Sequence, residues 1–313
     1  NGHAGLPSDQ PLSVTHMPGS GRGFVHGGTS ASNLNTIQRI HIPTEGATSD
    51  FGNLTEATRD PSGFGNSIRI FCLGGANPSA VNTISSYSPL SEGNASDYGD
   101  LSNSIYNTGG TGNRTRGLAS GGATPGGAQN YIDYFSTTST GNATDFGDLT
   151  QSRWGNAASA SPTRAVFSGG ATPTASNVID YVAIASTGNA TDFGDLTTTR
   201  ILANSSANSE TRNVLMGGAD PAYANTTDYI TIASTGNATD FGDLTVAKSK
   251  AVGLSNNIRA VCATGQTPST NPTDEIDFFT IATTGNATDF GNTTSKTKYG
   301  GGGADNHGGL QSA

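Results

Sequence analysis

The chain has 313 residues, 24 acidic against 15 basic, a net charge of −9, 44 Gly, 13 Pro and two Cys. That length is ample for a core in one large domain or two small ones. The missing basic surplus excludes the electrostatic footprint of a nucleic-acid binder, two cysteines cannot make a disulfide framework, and the absence of any apolar run near about 18 residues excludes membrane insertion by a helix.

The sequence opens on Asn rather than Met, which is expected of a processed product or a fragment. Residues 1–21 share no register with the rest of the chain and read as an N-terminal arm. From Arg22 onward the chain repeats itself. An Asp-aromatic-Gly core recurs at Asp50, Asp97, Asp145, Asp192, Asp240 and Asp289, at spacings of 47, 48, 47, 48 and 49 residues. A second landmark keeps the same period, an Arg five residues ahead of Gly-Gly: Arg22, Arg69, Arg116, Arg164 and Arg212. The sixth copy is degraded to Arg259 with Thr264-Gly265.

Within each unit of about 48 residues, short β-branched and aromatic runs alternate with Gly, Asn, Asp, Pro and Ser, the pattern of strands and turns. In the fourth unit these are 164–170, 177–186 and 190–196, followed by a looser small-residue run, 200–206. The Thr-Gly-Asn corner ahead of Asp-aromatic-Gly suits a hairpin in which Gly and Asn take positive φ. No apolar stripe of helical period is present. Four short strands per repeat predict a propeller blade, and six repeats predict an all-β, six-bladed β-propeller with four short antiparallel strands per blade.

An open ring would expose a strand edge, so closure by strands from both termini is expected. The inner strand is read as starting at a basic residue after the aromatic: Arg59, Arg153, Arg200 and Lys250, a series that Lys298 continues. Residues of about 298–306 are therefore expected to supply the inner strand of blade one. The propeller then occupies 22–308, with a C-terminal tail at 309–313. The competing choice uses 12–16 as that strand.

A hydrophobic strand ending in Gly-Gly, a following Tyr (Tyr134, Tyr181, Tyr229, with Phe278 in its place) and an aromatic before the next basic residue resemble the kelch repeat. Phe51, Tyr98, Phe146, Phe193, Phe241 and Phe290 stand where kelch repeats carry Trp. The wording Ile-Ala-Ser-Thr-Gly-Asn-Ala-Thr-Asp-Phe-Gly-Asp-Leu-Thr is similar to repeats in virion and tail-fibre proteins of marine bacteriophages, notably those of cyanobacteria. The resemblance covers roughly 22–299 and implies a virion or extracellular location, other virion proteins as partners, and a homo-oligomer within a larger assembly.

The candidate chemistry is sparse. Paired Asp near Gly could hold Ca²⁺, but Asp side chains also accept local backbone N–H bonds, which is the preferred reading. The six Arg ahead of the glycines form a ring by symmetry, expected to make repeated Arg–Asp bridges rather than an anion site. His3, His16, His26, His41 and His307 lie in blade one or at the termini, without the close spacing of a metal site. Cys72 and Cys262 share one repeat position in blades two and six and are expected as buried free thiols. Asn94, Asn142, Asn189, Asn237 and Asn286 head sequons, at a corner that wants Asn for its backbone. No nucleophile elbow or phosphate loop is present. The chain is read as non-enzymatic and without cofactor.

The Thr-Gly-Asn corners are nearly invariant among the later copies, whereas the loops after Gly-Gly differ: 29–34, 76–80, 123–129, 171–176, 219–225 and 266–275. Diverse loops on a rigid scaffold are the usual place for binding. Gln129, Tyr223, Asn225 and Gln266 from these loops, and the single Trp154 beside Arg153, are the candidate ligand-binding residues. The expected ligand is a host-surface glycan or protein. The alternatives are a structural decoration or filament subunit docking through the arm, and an extracellular glycan-active enzyme with an axial site.

Overall fold

The computed structural model describes residues 21–202 and 204–305. The predicted arm, apart from Gly21, the C-terminal tail and the alternative strand 12–16 lie outside them. Six four-stranded antiparallel sheets form the blades of a six-bladed β-propeller, and no helix occurs among the described residues. Blade one consists, from the axis outward, of Gly301–Ala304, Arg22–His26, Thr36–His41 and Ser49–Asn53. The C-terminal strand thus completes the N-terminal blade, with Gly23 paired to Ala304 and His26 to Gly301. The inner strands of the other blades are Ser62–Gly65, Gly109–Gly112, Ala157–Ala160, Ser206–Asn208 and Val252–Ser255. Each inner strand touches the inner strands on both sides, and the last returns to Gly301–Ala304, so the ring is closed around the axis.

The core lies between blades rather than within one. Six clusters of buried apolar side chains each span two adjacent blades; one joins Phe64, Phe71 and Tyr98 of blade two to Ala119 and Phe135 of blade three. The Asp-aromatic-Gly signature explains how each outer strand reaches this interface. In blade four, Ile179 faces Gly194 and Asp180 faces Asp192, leaving Phe193 as the extra residue of a β-bulge. The bulge turns the ring inward, to 2% exposure, while the preceding Asp192 stays exposed.

The nearly invariant corner joins two antiparallel strands as expected, and its glycines take positive φ, as Gly188 does at +154°. Its asparagines, Asn94, Asn142, Asn189, Asn237 and Asn286, do not. The corner is also a latch between blades. Gly236 N–H and Ala238 N–H donate to the carbonyls of Phe193 and Asp195 in the preceding blade, at 2.8 and 2.7 Å. Asn237 Oδ1 accepts the N–H of Asp195 at 3.0 Å. Gly194 must be glycine here: its φ is +144°, and an added Cβ would stand 2.5 Å from the Gly236 carbonyl oxygen. Asn94, Asn142, Asn189 and Asn286 make the same bond.

The two basic series also part from expectation. The Arg ahead of Gly-Gly do not pair with Asp in a repeated bridge. Arg22, Arg116, Arg164, Arg212 and Arg259 each donate to a backbone carbonyl of the next blade. The guanidinium of Arg164 lies 4.4 Å from the Tyr181 ring centroid, which meets Phe193 edge-on; the same stack recurs at Arg212, Tyr229 and Phe241. Cation–π contact and a carbonyl acceptor satisfy the guanidinium without a carboxylate. The Arg–Asp pairing occurs at the other series. Arg153 meets Asp180 at 2.8 Å, Arg200 meets Asp228 at 2.5 Å and Lys248 meets Asp277 at 3.0 Å, all buried. Each Asp also binds a hydroxyl of the linker leaving the preceding blade: Thr150, Thr197 and Thr245. In blade three Ile105 stands where the base would be, and Asp133 accepts from Ser102 alone.

Candidate functional site

The loop face is built on a sixfold frame. The second glycine of each Gly-Gly pair, and Gly265 after Thr264 in the sixth copy, donates its N–H to the lead-in of the next blade's inner strand: Gly28 to Thr58, Gly75 to Ile105, Gly122 to Arg153, Gly170 to Arg200, Gly218 to Lys248 and Gly265 to Thr297, at 2.7–2.9 Å. Gly169 and Gly170 have φ of +65° and +99°, which L side chains resist. Each loop is then pinned to its own blade by one backbone bridge, as at Trp154 with Ala171 and Ser249 with Gln266. The variable loops and the lead-ins therefore share one face.

At the centre of that face the lead-ins are joined head to tail around the axis. Tyr299 N–H donates to Lys250, Asp60 N–H to Tyr299, Asn107 N–H to Asp60 and Gly155 N–H to Asn107, at 2.8–3.2 Å. Lys250, Tyr299, Asp60, Asn107 and Gly155 all have φ between 54° and 67°. In blade five the lead-in is one residue longer; Leu202 enters the interface with blade four, and the left-handed position passes to Asn204. Asn204 reaches the opposite blade, accepting from Ser62 Oγ at 2.9 Å and donating to the Pro61 carbonyl at 3.0 Å. Below it the inner strands lie backbone to backbone. The axial cavity is about 20 Å³, room for about one water molecule.

Lysine, arginine and tyrosine gather at this mouth. Arg59, expected with Lys250 and Lys298 to mark a strand start, lies one position beyond the buried bases, and Lys250 two beyond. Register therefore carries them to the surface instead of into an ion pair with a third-strand Asp. Arg59 Nη1 meets Asp60 Oδ2 at 2.7 Å, and its guanidinium lies 5.9 Å from the Tyr106 centroid. Lys250 Nζ lies 4.1 Å over the Tyr299 ring and donates to its hydroxyl; Lys298 Nζ is 5.4 Å from the same centroid. Asp60 is 3% exposed, and its Oδ1 has no hydrogen-bond partner. Burial pushes its carboxyl up to about 6, opposed by the charges of Arg59, Lys250 and Lys298.

Beside this cluster, between blades three and four, a cleft of about 460 Å³ is lined by Tyr106, Asn107, Thr124, Pro125 and Trp154 among others. One wall is the hairpin Ala123–Thr124 and Gly127–Ala128, found in the blade-three loop. Of the sequence candidates, Trp154 forms a wall of this cleft. Gln129 braces the hairpin by donating to Thr124 Oγ1 and the Gly127 carbonyl, and its carbonyl accepts the N–H of Arg153. Tyr223 and Gln266 are brought together across blades five and six, Gln266 Nε2 donating to the Tyr223 hydroxyl. Asn225 is exposed, apart from both groups. Tyr106, Tyr299 and Asp60 were missed by sequence reasoning; the signal was the run of Lys250, Lys298 and Arg59 on three successive lead-ins of an acidic chain.

Cys72 and Cys262 are free and buried, with burial pushing the Cys262 thiol up to about 12. His26 is buried against the Tyr87 hydroxyl at 3.0 Å, and His41 pairs with Thr44 at the surface; His3, His16 and His307 lie outside the described residues. Among the described residues no group of three or more His, Cys, Asp or Glu is placed to hold a metal, and no helix is long and apolar enough to cross a membrane. In comparisons with known proteins, no family model matches the chain and no curated protein is significantly similar to it.

Proposed function

We propose that this protein is a non-enzymatic binding module that presents the loop face to a host-surface glycan or protein, as part of a virion or tail fibre. The observation that carries the reading is the contrast between two sets of connections. The Thr-Gly-Asn corners are held alike because each latches a neighbouring blade, whereas the Gly-Gly loops differ although their anchors are the same. Loops freed from a structural task, on a frame fixed by hydrogen bonds, are where recognition is placed without disturbing the fold. The virion context rests on the resemblance of the repeat wording. An axial catalytic site has less support, because Asn204 and the inner strands leave too little space there for a sugar ring.

The test is binding of the labelled chain to intact candidate host cells, beside a variant with all six Gly-Gly loops scrambled. Saturable binding that disappears in the folded variant supports the reading. Equal binding by both proteins refutes it.

A further inference from the structure

Resting on the reading of the loop face as a binding surface, we propose that its ligand is an anionic saccharide, with the acid group held at the axis mouth by Arg59, Lys250 and Lys298 and a sugar ring lodged in the cleft of Tyr106 and Trp154. The chain is acidic overall, with a net charge of −9, yet three cations converge here around a single carboxylate. Asp60 feels all three of them, and burial together with the nearby charge of Lys250 disfavours the Lys298 ammonium. Like charges held together at a partly desolvated mouth are unfavourable in the free protein, and an incoming anion relieves them. Asp60 accepts from Arg59 alone, through Oδ2; Lys250 donates to the Tyr299 hydroxyl and Lys298 to Asn271 Oδ1, and with three donors each ammonium retains others for a further acceptor.

The cleft supplies the second half of the site. Its volume of about 460 Å³ lies in the range of small-molecule sites, about 300–1,000 Å³. Its aromatic walls offer the flat apolar surfaces on which the C–H face of a pyranose rests, and Asn107 and Thr124 offer polar edges. Tyr106 belongs to both halves, lining the cleft while lying under the Arg59 guanidinium. A uronate or sulfated sugar seated against Trp154 and Tyr106 therefore points its acid toward the cations. A neutral sugar fills the cleft but leaves them unanswered.

The experiment titrates the full chain with uronate, sulfated and phosphorylated oligosaccharides, each beside its neutral methyl-ester or desulfated counterpart. At least one acidic form should bind about tenfold more tightly than its neutral partner, and lose that margin in high salt. R59Q/D60N, which leaves no buried charge alone, and K298Q should lower affinity for the acidic form; W154A should weaken both forms alike; D60N alone should tighten the acidic one. No acid preference across the panel, or unchanged binding by R59Q/D60N and K298Q, overturns the proposal. Host-cell binding separates the two claims. If cells are bound by R59Q/D60N/K298Q but not by the loop-scrambled chain, the anionic site fails and the loop face stands. If scrambling has no effect, the loop face fails as well.

Discussion

Asn237 in blade five accepts, through Oδ1, the backbone N–H of Asp195 in blade four at 3.0 Å. That bond, with the two backbone bonds beside it, makes the outer rim of the propeller continuous from blade to blade. It recurs at every junction except the one from blade six to blade one. There Gly46 and Thr48 donate to Phe290 and Asn292 by backbone alone, because Ala47 stands in place of Asn. The ring is thus held at three radii: by inner strands touching at the axis, by apolar clusters midway and by latches at the rim.

The latch predicts an order of costs. N237A removes one hydrogen bond at an exposed site and should destabilise by about 1 kcal/mol. G194A drives a methyl into the Gly236 carbonyl at a φ of +144°, and overpacking against backbone should cost about 2–4 kcal/mol. Urea unfolding of the two variants measures the difference. If G194A is as mild as N237A, the close approach is not what keeps glycine there.

Blade six offers a stabilising change. Thr264 occupies the first glycine position with φ of 62°, is fully buried and leaves Oγ1 without a partner. A β-branched residue is strained in that region. T264G removes the strain and the unsatisfied hydroxyl, at the expense of glycine's unfolded-state entropy, for a net gain of about 1 kcal/mol. A higher denaturant midpoint is the expected result; a lower one would show that Thr264 contributes through its methyl packing.

The buried pairs predict strong coupling. R153M leaves the Asp180 carboxylate without its base and should cost about 3–5 kcal/mol. D180N in the same chain removes the stranded charge and should recover most of that loss, since the Thr150 bond survives. Blade three shows the R153M arrangement in nature, with Ile105 in place of the base and an Asp133 that keeps only Ser102; desolvation raises the Asp133 carboxyl accordingly. Additive losses in the double variant would mean that the two side chains act separately.

The sequence carried the architecture because its landmarks mark what recurs in space: the bulge aromatic, the paired left-handed glycines and the Arg that crosses to the next blade. Ring closure was legible from Lys298-Tyr299 and the four glycines after them. Register was not. Arg59 and Arg153 look equivalent in sequence, but one extra residue before Arg59 separates a surface cation from a buried one. The role of Asn237 was hidden for a related reason, since its partner lies 42 residues away, and local rules for Gly and Asn see only the turn. Tyr106 and Tyr299 gave no signal alone. They matter because the ring places them beside cations of neighbouring blades.

Two buried groups predict opposing pH slopes. Burial lowers His26 to about 4, the Ser62 carbonyl opposing it, so the folded protein holds His26 neutral where the unfolded chain protonates it. Its contribution is complete above about pH 6.5 and is lost as pH falls toward 4, about 3 kcal/mol in all. Asp60 has the opposite sign. Its folded carboxyl, raised to about 6, binds its proton more tightly than the unfolded one. Stability from this source is present below about pH 4 and lost as pH rises through 6, again by about 3 kcal/mol. Between pH 4 and 6 the two partly cancel. D60N should therefore steepen the acid loss while raising stability at pH 7, since Asn also tolerates the φ of 56° there, as Asn107 does one blade on. H26L should flatten the slope, with a pH-independent penalty from the Tyr87 hydroxyl and Ser62 carbonyl left behind. Unfolding free energies at pH 4, 5, 6 and 7 for the three proteins provide the measurement. Parallel curves for the parent and D60N would show that Asp60 titrates alike in both states.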